Sequence, residues 1–129
     1  NKKINPAIVK AVINLEMLGR PEKQSCFIVS FRNKAIRNML NSYLKQYQTI
    51  GEKSFFETDP YYDENLAYRS DHYPFSNKIK NAFTIMGTSP QDTYYHSVDD
   101  EYETINFDFL LKATKNIALA CEKFTGQDF

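Results

Sequence analysis

The chain has 129 residues, enough for one domain with one core, and 42% of them are hydrophobic, which argues against disorder. Sixteen Lys and Arg balance sixteen Asp and Glu, so the net charge is zero, without the basic excess that phosphate contacts demand of a nucleic-acid binder. Mean hydropathy is −0.55 and no apolar run approaches the roughly 20 residues of a membrane span. Two cysteines make neither a disulfide-dense scaffold nor a four-cysteine zinc knuckle.

The first residues, Asn1-Lys2-Lys3, carry no Met and no signal-peptide pattern, which fits a processed product or an excised piece. The run from Ile8 to Leu15 is β-rich and mostly apolar and predicts a buried strand ending near Glu16; Gly19-Arg20-Pro21 breaks it. Cys26 to Phe31 predicts a second strand. Asn33 is the expected N-cap of a helix running to about Gln48, with Ile36, Met39, Leu40, Tyr43, Leu44 and Tyr47 on one apolar face. Lys53 to Thr58 suits a short edge strand, and Asp59-Pro60 opens a loop. Ser70 is the expected N-cap of a short helix over 71–79. Ala82 to Met86 is a third strand, closed by Gly87. A long acidic, Tyr-rich loop fills 88–104, a length often associated with function. Asn106 then caps a final helix with Leu110, Ala113, Ile117, Cys121 and Phe124 on one face, ending at Gly126. Strands alternating with helices predict a layered α/β sheet in a single domain over 1–129.

Charge is uneven along the chain. Residues 1–50 hold nine basic and two acidic side chains, and residues 51–129 hold seven basic and fourteen acidic. The halves therefore carry +7 and −7, and the ordinary explanation is two faces of one domain attracting each other. The stretch 91–111 holds Asp92, Asp99, Asp100, Glu101, Glu103 and Asp108 with no Lys or Arg, a field that favours a nearby cation. Cys26 and Cys121 sit far apart with no CxxC and read as small core hydrophobes, with a single bridge left open.

Few residues suit chemistry. Glu16 is flanked by Val12, Ile13, Leu15, Met17 and Leu18, and a carboxylate in such a setting needs a cation or hydrogen bonds. A solvated loop position explains it equally well. His96, in Tyr95-His96-Ser97-Val98-Asp99-Asp100, is one of two histidines. Both Glu16 and His96 lie beyond the carboxyl ends of predicted strands, where open α/β sheets place ligands. A carboxylate and an imidazole suit zinc, although a catalytic zinc takes three protein ligands. A lone loop histidine is more often a plain surface residue. In Arg69-Ser70-Asp71-His72-Tyr73-Pro74-Phe75, a capped helix start accounts for the residue types, and Asp71 is also placed to support a metal site. No G-x-S-x-G elbow, P-loop or G-x-G-x-x-G is present.

Taken in order, three segments resemble the two-zinc aminopeptidases. Val12 to Gly19 is similar to that family's N-L-D-M-I-G strand, Arg69 to Phe75 to its S-D-H-x-x-F segment, and Tyr95 to Asp100 to its Y-H-T-x-x-D segment. The likeness spans about 12–124. It implies a three-layer α/β sandwich around a mixed, mostly parallel sheet, a partial zinc-exopeptidase fold. It implies Glu16 and His96 as zinc ligands, Asp71 as a supporting carboxylate, Ser70 in the substrate pocket, and Met17 and Tyr95 along the side-chain pocket. It also implies a peptide substrate, two zinc ions in the complete enzyme, and a metal-activated water with a Glu as general base.

Two departures stand out. Glu occupies the position where the family usually has Asp, one methylene longer. The family's H-x-D segment, bridging Asp and Glu-Glu pair come earlier in its chains, and residues 1–11 cannot hold them. The expectation is therefore the C-terminal half of a catalytic domain, with no catalytic residue of its own, needing an N-terminal half as partner. Asp71 to Phe75 also resembles the D-H-x-P-F of the related glutaminyl cyclases. The superfamily further holds non-catalytic members such as the transferrin receptor ectodomain. Many relatives are exported.

Overall fold

The computed structural model describes residues 5–47 and 54–126. Four strands form one sheet: β1 (Val12–Glu16), β2 (Cys26–Val29), β3 (Phe56–Thr58) and β4 (Ala82–Met86), in the spatial order β1-β4-β2-β3. β1 runs parallel to β4 and β2 parallel to β3, while β2 and β4 are antiparallel. The sheet is therefore mixed and mostly parallel, as expected. Three helices accompany it: α1 (Asn33–Leu44), the single turn α2 (Leu66–Arg69) and α3 (Phe107–Gly126). Among the described residues no helix is long and apolar enough to cross a membrane.

The pleat sorts the strand residues into two faces. Cys26 and Ile28 of β2, with Phe83 and Ile85 of β4, point toward α1 and α3. There they meet Ile36, Leu40 and Leu44 from α1 and Phe109, Ala113 and Ile117 from α3. Phe27 and Val29 of β2 and Met86 of β4 point the other way, against Leu66 of α2. Both faces of the central strands are thus covered, which is why their sequences read as unbroken apolar runs. The layering is helix, sheet, helix, but the second face is covered by short segments only.

Several boundaries differ from expectation, each for a local reason. Residues Pro6–Ile8 form a 3-10 turn, since Pro6 at its start suits a turn with φ already fixed, and β1 begins at Val12. β1 is not a buried strand: among the described residues it pairs with β4 alone, at the sheet edge, and Leu15 is 52% exposed. Phe31 lies beyond β2 and is exposed. Asn33 is the first helical residue of α1, and Arg32 takes the cap position with no side-chain cap bond. α1 ends at Leu44, short of the expected Gln48, and β3 begins at Phe56 instead of the expected Lys53; Gln48 and Lys53 themselves lie outside the described residues. α3 does begin at an Asn106 cap, whose side chain accepts from Phe109 N at 2.9 Å. Its buried face runs through Phe109, Ala113, Ile117, Ala120 and Phe124, turned by one residue from the expected Leu110 and Cys121, and Gly126 still belongs to the helix. Cys26 is buried, Cys121 is half-buried, and both are free thiols.

One polar clamp holds the far edge of the sheet. Asn41 of α1 donates to the Phe56 carbonyl at 2.7 Å and accepts from the Phe56 amide at 3.0 Å. Its amide side chain does for β3 what a further strand would do, satisfying both backbone groups.

Candidate functional site

β1 and β4 run side by side in register, Asn14 beside Thr84 and Glu16 beside Met86. Both strands consequently end at one rim. Glu16 is the last residue of β1, so it belongs to the sheet and not to a solvated loop. The backbone then turns sharply. Met17 adopts φ 50, a left-handed conformation unusual for a residue with a β-carbon, and its carbonyl accepts from Gly87 and Thr88. Only three non-glycine residues among those described have positive φ: Met17, Asn65 and His96. Two of these belong to the segments singled out by sequence, and such strain is commonly held at functional sites.

A small cavity of about 60 Å³ opens at this rim. Glu16, Met17, Ser70 and Tyr95 line it, together with Leu66, Arg69, Met86 and Pro90. Four side chains named from sequence, drawn from three separated segments, thus share one wall. Its lining combines the charged Glu16 and Arg69 with the apolar Met17, Leu66, Met86 and Pro90.

The remaining two candidates are placed differently. Asp71 is exposed and does not line the cavity, yet it lies near enough to repel the Glu16 charge. His96 does not line the cavity either. It is exposed on the loop after β4, with its ring 4.0 Å from that of Tyr95. Tyr95, its neighbour in sequence, lines the cavity, whereas the His96 imidazole does not.

Ser70 does not begin a helix over 71–79. It terminates α2, and its hydroxyl donates back to the Leu66 carbonyl at 3.0 Å. Beyond it the chain makes the 3-10 turn Tyr73–Phe75. The Ser-Asp pair has the composition of a cap, but the turn forms before it because Leu66 can bury against β2 and β4.

The Glu16 pKa is raised above the ordinary 4.5. Burial is the largest cause, and the nearby Asp71 charge adds to it. Hydrogen bonds from Ser70 and Asn14 and the charge of Arg69 work in the opposite direction. Ser70 has one hydroxyl hydrogen for two acceptors, Leu66 O and the carboxylate, so its help to Glu16 is partial. Asn14 Nδ2 donates to Glu16 Oε2 at 3.1 Å. A half-buried carboxylate raised in this way is one whose charge a bound cation would stabilise.

Glu and His are donor types that zinc accepts. Among the described residues, however, no group of three or more His, Cys, Asp or Glu converges on one point. The donors here fit part of a zinc site and not a whole one.

Sequence reasoning missed Arg20, which it treated as part of a strand break. Arg20 Nε meets Asp92 Oδ2 at 2.8 Å, and Nη1 meets Asp100 Oδ1 at 2.9 Å. Nη1 also donates to Thr104 Oγ1 at 3.0 Å, and the guanidinium lies 5.2 Å from the Tyr94 ring centre. Burial works against its charge, but the hydrogen bonds and charges of Asp92 and Asp100 prevail and raise its pKa. The cation that the acidic stretch calls for is in part this arginine. By tying both ends of the loop together, Arg20 holds the segment that carries Tyr95 and His96. The signal available in sequence was the opposite charge of the two halves.

A mixed α/β sheet with a carboxylate at a strand end and a strained turn at the same rim has the layout in which open α/β sheets hold ligands beyond their strand ends. The sequence model described as Peptidase family M28 matches residues 2–121, and the chain belongs to that family of zinc aminopeptidase-like metallopeptidases. No curated protein and no solved structure matches the chain.

Proposed function

We propose that this chain is the C-terminal part of the catalytic domain of a zinc-dependent exopeptidase, an aminopeptidase, that supplies two metal ligands, Glu16 and His96. Membership of a metallopeptidase family makes peptide the substrate class. The observation that carries the finer reading is the cavity at the end of β1, where Glu16 stands beside Met17, Ser70 and Tyr95. Glu16 supplies a carboxylate to this cavity, and Met17, Leu66 and Met86, with Tyr95, supply apolar surface for a substrate side chain. Bound zinc in such enzymes polarises the scissile carbonyl and lowers the pKa of water. With two donors, the chain needs further ligands and a general base from residues outside this sequence. The half-exposed apolar edge of β1, with Leu15 uncovered, is consistent with another strand of the complete domain lying there.

The reading predicts no peptidase activity from this chain alone and weak zinc affinity. The check is an assay on amino-acid anilides with added zinc. Robust turnover that His96→Ala abolishes would sink the half-site reading. In the complete protein, His96→Ala is expected to lower zinc content and kcat/KM together.

A further inference from the structure

His72 is fully buried, although the cavity does not include it. Its Nδ1 lies 2.8 Å from Thr84 Oγ1, and its Nε2 is buried without a partner among the described residues. Thr84 is fully buried too, in the central strand β4. Two polar side chains in this layer are costly unless they are bonded onward.

Thr84, and His72 through Nδ1 alone, are bonded onward. The parallel register sets Asn14 beside Thr84, and the pleat sends Asn14, Glu16 and Thr84 to the same face. Asn14 Nδ2 donates to Thr84 Oγ1 at 3.1 Å and to Glu16 Oε2 at 3.1 Å. A charged carboxylate accepts only, so the amide nitrogen, not its oxygen, must face Glu16; that leaves its second hydrogen for Thr84. Thr84 Oγ1 then accepts from Asn14 and is bonded to His72 Nδ1, in a direction that depends on the His72 tautomer. The chain His72–Thr84–Asn14–Glu16 is continuous from the buried ring to the carboxylate.

We propose that His72, acting through Thr84 and Asn14, is a positioning residue that holds the Glu16 carboxylate in one orientation at the cavity. The role rests on reading Glu16 as a metal ligand; the hydrogen-bonded orientation itself does not. If this role is only to tie the 3-10 turn at Tyr73–Phe75 to β4, breaking the chain at Thr84 leaves Glu16 unaffected. If it positions the carboxylate, Glu16 loses its fixed rotamer. Partners behind metal ligands of this kind contribute roughly 10–100-fold to metal affinity.

The test uses the full chain, isotope-labelled, with NMR readouts. Three-bond couplings report the Glu16 rotamer. The wild type is expected to show one Glu16 rotamer. Thr84→Val is expected to average the Glu16 couplings, and Thr84→Ser, which keeps the hydroxyl, to restore them. Asn14→Ala, on the half-exposed edge strand, reads the same couplings should Thr84→Val not fold. Unchanged Glu16 couplings in whichever of these two variants is read would overturn the proposal. Zinc titration forms a separate arm. Wild-type Glu16 resonances that ignore zinc, with couplings that still average in Thr84→Val, would overturn the ligand reading and leave the positioning role standing. A zinc response weakened roughly tenfold in Thr84→Val and recovered in Thr84→Ser would support both.

Discussion

Asp59 shows how a single buried carboxylate sets a pH dependence. It follows β3, accepts from Tyr61 N at 2.8 Å in the Asp59-Pro60 turn, and burial pushes its pKa from 3.8 up to about 6. An acid whose folded pKa exceeds its unfolded one binds more protons when folded, so stability falls as pH rises from about 4 to about 6. Asp59→Asn keeps an oxygen for the turn and removes the titration. It is expected to flatten that part of the stability–pH profile, as read by urea unfolding at several pH values; a slope equal to wild type would refute the assignment. The site residues raise a different point at this scale. Glu16 stood out because a carboxylate beside an apolar run needs a cation, hydrogen bonds or solvent, and the strand pairing then placed it at the end of β1. The link from His72 to Thr84, twelve residues on, and from Thr84 to Asn14, seventy residues back, left no trace in the order of residues. Hydrogen bonds between distant segments exist only once register is set.

At the scale of elements, agreement followed the strength of the local signal. β4 came out at its expected bounds because a five-residue apolar run between turn residues has one natural reading. The cap of α3 also agreed, since Asn106 has a side chain that reaches the amide at the third helical position. Asn106→Ala is expected to cost about 1 kcal/mol in thermal or urea unfolding, with Asn106→Asp close to wild type. At Asn33 the same residue type did not cap, because the helix starts there. Ser70 failed as a helix start for a related reason: capping composition is common, and burial of Leu66 decided which turn formed.

At the scale of the molecule, the opposite charges of the two halves meet at Arg20. Asp92 is nearly buried, its side chain 5% exposed, while Asp100 is half-exposed. Arg20→Ala leaves Asp92 buried without its cation, and the expected cost is about 2 kcal/mol, between the values for exposed and buried pairs. Hydrogen exchange should rise through the loop at 88–104, including Tyr95 and His96, while the core strands keep their protection. A loop unchanged in exchange would show that Arg20 does not organise it.

The sequence by itself determined the α/β class, the central strands, the capped final helix and the family resemblance, because each rests on residues adjacent in the chain. It also singled out Glu16, Met17, Ser70 and Tyr95, which the fold brings to one cavity. Only the tertiary structure decided that β1 lies at the edge of the described sheet, that Arg20 answers the acidic loop, and that His96 does not line the cavity. Each of those outcomes depends on which strand pairs with which and on what covers each face. Such choices are made by burial and charge summed over the whole chain, and a local pattern does not encode them.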